Sequence, residues 1–188
     1  MHIFLLAVLA LVLLVLAFSY WLFYIGICRF PKDPELTVPK KLLDHADEIN
    51  SGIAWFKAQE PERVCIPAYD GTKLSGLYLE HEDTRGTIIL VHGFRSDAYY
   101  DFSCAFRFYY EQGYSLLSVF QRAHGESGGD YITFGAKERY DCRDWARYVF
   151  DRFGPEHDIF LSGISMGSAT VLMAAGLGLP GSVRGIIA

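Results

Sequence analysis

Between Ile3 and Cys28 the sequence has no Asp, Glu, Lys or Arg. That absence excludes a solvent loop or an ordinary half-polar helix. At about 1.5 Å per residue a helix over this stretch spans roughly 39 Å, more than the ~30 Å hydrocarbon core of a bilayer requires. Clustered basic charge is also missing. The 17 Lys and Arg against 22 Asp and Glu leave a formal net charge of -5, and the basic residues are scattered, so nucleic acid has no electrostatic footprint here. Cysteine is sparse: Cys28, Cys65, Cys104 and Cys142 lie far apart, with no Cys-x-x-Cys and no paired histidines at ligand spacing. This favours free thiols in core or membrane over a disulfide framework or a metal site. No phosphate loop, dinucleotide fingerprint or metal motif occurs, so no cofactor and no metal are implied. One more absence falls late in the chain, where no Asp, Glu or His stands between Met166 and Ala188.

What is present is ample apolar material. Hydrophobic residues make up 51% and aromatics 15% of 188 residues, enough for one domain with an appendage. The appendage is the uncharged stretch, read as a membrane anchor over residues 1–28. Tyr20, Trp21 and Tyr24 gather towards its end, where an interfacial aromatic belt sits. A cleaved signal peptide is the alternative, with Ala17-Phe18-Ser19 as a small-x-small site. Against it, no Lys or Arg precedes the apolar run and the mature chain would begin with more aromatics. Ile25-Gly26-Ile27-Cys28 has the outline of a lipoprotein box, but bulky Ile27 before the cysteine argues against it. Arg29, Lys32, Lys40 and Lys41 follow the span, which by the positive-inside rule places the globular part on the cytoplasmic side.

A proline-punctuated linker, Phe30 to Pro39, comes next within a second region, 29–62. From Lys40 to about Lys57 the spacing of Leu42, Leu43, Ala46, Ile49, Ile53, Trp55 and Phe56 predicts an amphipathic helix, able either to pack on the domain or to lie on the membrane surface. From Arg63 onwards the pattern becomes one of alternation. Arg63–Ala68 and Leu74–Leu79, joined through Asp70-Gly71, predict an antiparallel hairpin. Thr87–Val91 is a continuous apolar run, as expected of a strand buried on both faces. A helix follows Ser96, with Phe102, Phe106 and Tyr109 on one side and Gly113 as its stop. Tyr114–Phe120 is the next strand and Ala136–Phe153 the next helix, with Cys142, Trp145, Ala146, Val149 and Phe153 inward. A strand from Ile159, a helix over 168–175 and a last strand over 183–188 complete the series. The expectation is a mostly parallel sheet with helices on both faces, preceded by one N-terminal transmembrane helix.

The chemistry concentrates at Gly163-Ile164-Ser165-Met166-Gly167. A bare Gly-x-Ser-x-Gly arises by chance in roughly one chain in ten of this length and glycine content, so the pentapeptide alone decides little. Its context decides more: an apolar strand runs into it and a small-residue helix leaves it. That order describes a nucleophile elbow, in which Gly163 and Gly167 relieve collisions around the turn and Ser165 is presented at a helix N-terminus.

The arrangement from about Arg63 to Ala188 resembles the α/β-hydrolase superfamily. Leu90-Val91-His92-Gly93-Phe94 is similar to its His-Gly-x loop after the third strand. Gln121-Arg122-Ala123-His124-Gly125-Glu126-Ser127 is similar to its Asp-x-Arg-Gly-His-Gly-x-Ser loop, with Gln121 and Ala123 as departures. With the N-terminal span, the chain looks most like membrane-anchored bacterial serine hydrolases of esterase or serine aminopeptidase-like type. The resemblance implies Ser165 as nucleophile towards a small-molecule or peptide acyl substrate, with the N–H groups of Phe94 and Met166 as oxyanion hole. His92 and Gly93 shape the loop, and Arg122, His124 and Ser127 fix the second one. It also implies a triad ordered Ser, Asp or Glu, His, and the acid and base have no candidates after Met166. Residues 63–188 are therefore expected to be the N-terminal part of a hydrolase domain, inactive alone, with His124 as a substitute base the rival idea. A non-catalytic binding or scaffold protein on the same fold is the alternative function.

Overall fold

A computed structural model describes residues 1–29 and 44–188. The linker from Phe30 to Pro39 and the positions Lys40 to Leu43 lie outside the described residues. The elements are α1 (His2–Ile27), α2 (Ala46–Ala58), β1 (Glu62–Pro67), β2 (Lys73–Leu79), β3 (Thr87–Val91), α3 (Ser103–Glu111), β4 (Ser115–Phe120), α4 (Glu138–Phe153), β5 (Ile159–Gly163), α5 (Met166–Ala175) and β6 (Val183–Ile187). The strands form one sheet in the order β1-β2-β4-β3-β5-β6. β1 and β2 pair antiparallel, as do β2 and β4, while β3 runs parallel to both β4 and β5, and β5 to β6. The sheet is mixed at its start and parallel where the site is built, as the alternation of strand and helix patterns requires.

Successive side chains of a strand point to opposite faces, and here each face has its own core. Ile88, Leu90, Leu116 and Phe120 join Phe56 and Phe106 under α2 and α3. Ile89, Val91, Leu117 and Val119 join Cys142, Trp145, Ala146, Val149 and Val171 under α4 and α5. Every residue of β3 and β4 is buried, and Ile88–Val91 accordingly reads as an unbroken apolar run while β4 buries Ser115 and Ser118 among its apolar residues. The choice left open for the second helix is settled by packing: Ile49 and Phe56 are buried, and the Phe56 ring stacks on Phe106 at 4.1 Å between centroids.

Three expectations are corrected. The helix after Ser96 begins only at Ser103, because Asp97 caps the N–H groups of Tyr99 and Tyr100 and Asp101 reaches back to Gly93. The helix expected from Ala136 begins at Glu138, whose carboxylate instead accepts from the N–H groups of Thr133 and Gly135 and the Thr133 hydroxyl. Of the four free thiols, Cys65 and Cys104 are exposed rather than in core or membrane, and Cys142 is buried.

α1 is apolar on every side and none of its residues is buried. It is long and apolar enough to cross a membrane by length and composition. Its end is held on the domain. Cys28 makes an antiparallel bridge to Tyr131, with Arg29 N–H donating to the Asp130 carbonyl at 2.7 Å and Ile132 N–H to that of Ile27 at 2.7 Å.

Candidate active site

β5 ends at Gly163 and α5 begins at Met166, so two residues make the whole turn. Ser165 makes it at φ 55°, ψ −114°, a conformation that L side chains occupy at a cost of about 1–3 kcal/mol. Neighbours hold it there. Ile164 N–H donates to the Val91 carbonyl at 3.1 Å, Gly167 N–H to that of Ile164 at 2.8 Å, and the Ser168 hydroxyl to that of Gly163 at 2.7 Å. A Cβ on Gly163 would overlap the Gly167 carbonyl, and one on Gly167 would overlap the carbonyl of Val91. Both glycines therefore answer a close backbone approach. Met166 and Gly167 are buried while Ser165 is exposed at the start of α5.

The loop after β3 lies alongside. A Cβ on Gly93 would stand 3.2 Å from the Ser165 Cβ. In this loop Gly93 N–H donates to Asp101 Oδ2 at 2.6 Å, Arg95 N–H to His124 Nε2 at 3.1 Å and Ser96 N–H to the Gly93 carbonyl at 3.4 Å. Phe94 N–H has no partner among the described residues, and neither does Met166 N–H. The bracing thus uses the amides on both sides of Phe94 and leaves its own free. Two unpaired donors beside an exposed serine hydroxyl can stabilise an oxyanion.

Neither nearby histidine is placed as a base. His92 is wholly buried: its Nδ1 donates to the Gly93 carbonyl at 2.7 Å and its Nε2 accepts from Gln121 N–H at 3.1 Å. The Gln121 amide donates to the His92 carbonyl and accepts from the Thr170 hydroxyl at 3.2 Å, joining the loops after β3 and β4 to α5. Burial pushes the His92 pKa down to about 3, with His124 opposing its charge as well. His124 is occupied likewise, donating through Nδ1 to the Arg122 carbonyl at 2.9 Å and accepting from Arg95, and burial lowers its pKa. No side chain among the described residues hydrogen-bonds the Ser165 hydroxyl.

The second loop is fixed by charge. Arg122 donates through Nε and Nη2 to both Asp141 oxygens at 2.6 Å and through Nη1 to Asp70 at 3.0 Å. Burial raises the Asp141 pKa against the pull of Arg122. Hydrogen bonding to Arg122 lowers that of Asp70. The Ser127 hydroxyl donates to the Phe120 carbonyl at 2.5 Å and accepts from Ser75 N–H at 2.9 Å. Ala123 takes φ 60° where the family pattern has glycine. Sequence reasoning missed Asp101, which lies eight positions from the amide it braces and carries no motif, and also the bridging roles of Gln121 and Thr170. Among the described residues no three His, Cys, Asp or Glu side chains converge as metal ligands.

No protein-family profile matches the chain. An uncharacterized protein of Bacillus subtilis, YqkD, is 28% identical over 121 residues, which are 64% of this chain and 39% of that protein. The esterase Pf2001 of Pyrococcus furiosus superposes with a TM-score of 0.62 at 27% identity, over 85% of this chain and 56% of the esterase. XC6422 of Xanthomonas campestris, an α/β serine hydrolase without lid, superposes at 0.53 and 23% identity, over 62% and 56% of the two chains. The chain thus spans 39% of the curated relative and about half of these solved hydrolases. Strand order, elbow and neighbours agree: this polypeptide has the α/β-hydrolase fold, and its structural neighbours are esterases and serine hydrolases.

Proposed function

We propose that the protein is a serine hydrolase cleaving an ester, thioester or amide through an acyl-enzyme on Ser165. One observation carries the reading: an exposed serine in a strained elbow lies against Gly93, and the backbone N–H groups of the residues that follow each, Phe94 and Met166, are free among the described residues. The Ser165 oxygen attacks the carbonyl carbon, its proton passes to a base, and the negative charge on the former carbonyl oxygen is met by the two amides. Collapse expels the alcohol, thiol or amine, which takes up the proton, and water repeats the sequence to release the acid. Each oxyanion donor contributes a few kcal/mol of barrier.

The base and its acid are proposed to follow position 188 in the gene, with the acid first and a histidine near the end, as in the serine hydrolases the fold resembles. Residues 1–188 alone are then inactive, and α1 anchors the domain, on the cytoplasmic side by the charge that follows the span. The test is p-nitrophenyl ester hydrolysis. The full-length gene product is expected to be active and its Ser165→Ala variant inactive, with residues 1–188 silent. Hydrolysis by residues 1–188 that Ser165→Ala abolishes and His124→Ala spares refutes both sources of the base. The second reading, a binding scaffold, is favoured by the absence of any partner for the Ser165 hydroxyl among the described residues. An inactive but folded full-length protein would establish it.

A further inference from the structure

The end of α1 is clamped to the loops that frame Ser165. Beyond the Cys28–Tyr131 bridge, the Arg29 guanidinium donates to the carbonyls of Ser127 at 2.6 Å, Gly125 at 2.7 Å and Gly129 at 3.3 Å. The Arg95 guanidinium, next to Phe94, donates to the Ile25 carbonyl. The Phe23 ring lies 5.8 Å from that of Tyr131. A span of roughly 39 Å crossing a ~30 Å core leaves about six residues in the headgroup zone. Assigned to the end where Tyr20 and Trp21 would mark the interface, that surplus is the residues from Leu22 to Ile27, which reach the clamp. The clamp therefore holds the C-terminal edge of the parallel strands, where Ser165 sits, towards the bilayer.

That edge carries an apolar rim. Phe94, Ile164, Phe134 and Tyr131 are 38%, 38%, 46% and 52% exposed. The rim is continuous with the nucleophile: Phe94 stacks on Phe134 at 5.3 Å, Ile132 packs with Met166, and Gly93 and Ile164 adjoin Ser165. It is equally continuous with α1 through Tyr131. Among the described residues, exposed aromatic rings border the hydroxyl beside a helix of membrane-spanning length. An acyl chain suits that border, because each methylene drawn into water is unfavourable and a rim in contact with the bilayer avoids that exposure.

We infer that Ser165 faces the membrane and that its substrate is a membrane-resident long-chain acyl ester, whose tail enters from the bilayer across Phe94, Tyr131, Phe134 and Ile164. This rests on the hydrolase reading above and narrows it. The test reconstitutes the full chain in phosphatidylcholine vesicles doped with phosphatidylcholine bearing a diazirine at the end of one acyl chain, and maps photo-cross-links by mass spectrometry. Cross-links are expected in the segments holding Phe94 and Tyr131–Phe134 as well as in α1, with none at the opposite sheet edge around Glu82–Arg85. Phe134→Asp is expected to lower the rim yield about tenfold while α1 stays labelled. Labelling confined to α1, equal labelling of both edges, or a rim yield indifferent to Phe134→Asp overturns the inference. The measurement needs no serine chemistry, so a bare rim refutes the lipid route alone, and a Ser165 inert to active-site reagents refutes the hydrolase reading alone.

Discussion

Asp101 holds the loop after β3 by two bonds at once, accepting from Gly93 N–H and from the Ser96 hydroxyl, each at 2.6 Å. Asp101→Ala leaves both donors unpaired, and a loss of about 1–3 kcal/mol in unfolding free energy is expected. If the protein is the proposed hydrolase, Phe94 N–H then loses its fixed position, so kcat should fall about a hundredfold with KM less affected; an unchanged kcat would remove Asp101 from the positioning role. His92 gives a second prediction at this scale. Its folded pKa of about 3 lies below its ordinary 6.5, so between these values the unfolded chain binds a proton that the folded chain refuses. Stability is fully present above about pH 6.5 and falls as the pH drops towards 3, with a slope of up to about 1.4 kcal/mol per pH unit from this group. Denaturation midpoints in detergent between pH 7.5 and 5 check it, and a flat profile contradicts it. Sequence alone named His92 and His124 as loop residues by resemblance; which nitrogen donates and which accepts is set by partners 29 positions away and has no local signature.

The elbow and the second loop show what an element can reveal of itself. Strand β5, the glycines and α5 were legible because each is a local demand: apolar continuity for a strand buried on both faces, no Cβ where backbones meet, small residues behind. Gly167→Ala places a methyl group on the Val91 carbonyl of the adjacent strand, where neither backbone can yield, and a cost of about 3 kcal/mol or more is expected in chemical denaturation. A midpoint equal to wild type would mean the turn is looser than its contacts indicate. Arg122→Met tests the charge that fixes the loop after β4. It strands Asp141 as a buried carboxylate without its partner, and about 3–5 kcal/mol should be lost, against near neutrality if the pair were solvated. The helix starts at Ser103 and Glu138 were misread for one reason. Asp97, Asp101 and Glu138 spend their carboxylates on loop amides, and periodicity cannot distinguish such a residue from the first turn of a helix.

At the scale of the molecule, the sheet with helices on both faces follows from the alternation of patterns, whereas the docking of α1 does not. Arg29 read as a charge flanking a span, and only tertiary structure brings it to three carbonyls 96 to 100 positions on. Arg29→Ala should free those carbonyls and speed hydrogen exchange of the Ile132 amide about tenfold, and unchanged exchange would show that the backbone bridge suffices. The whole account stands on Ser165 being an activated nucleophile, and fluorophosphonate labelling of the full-length gene product tests this most directly. It predicts one adduct per chain, on the peptide containing Ser165, and none in Ser165→Ala. A folded protein that takes up no reagent, or an adduct that survives Ser165→Ala, would contradict it.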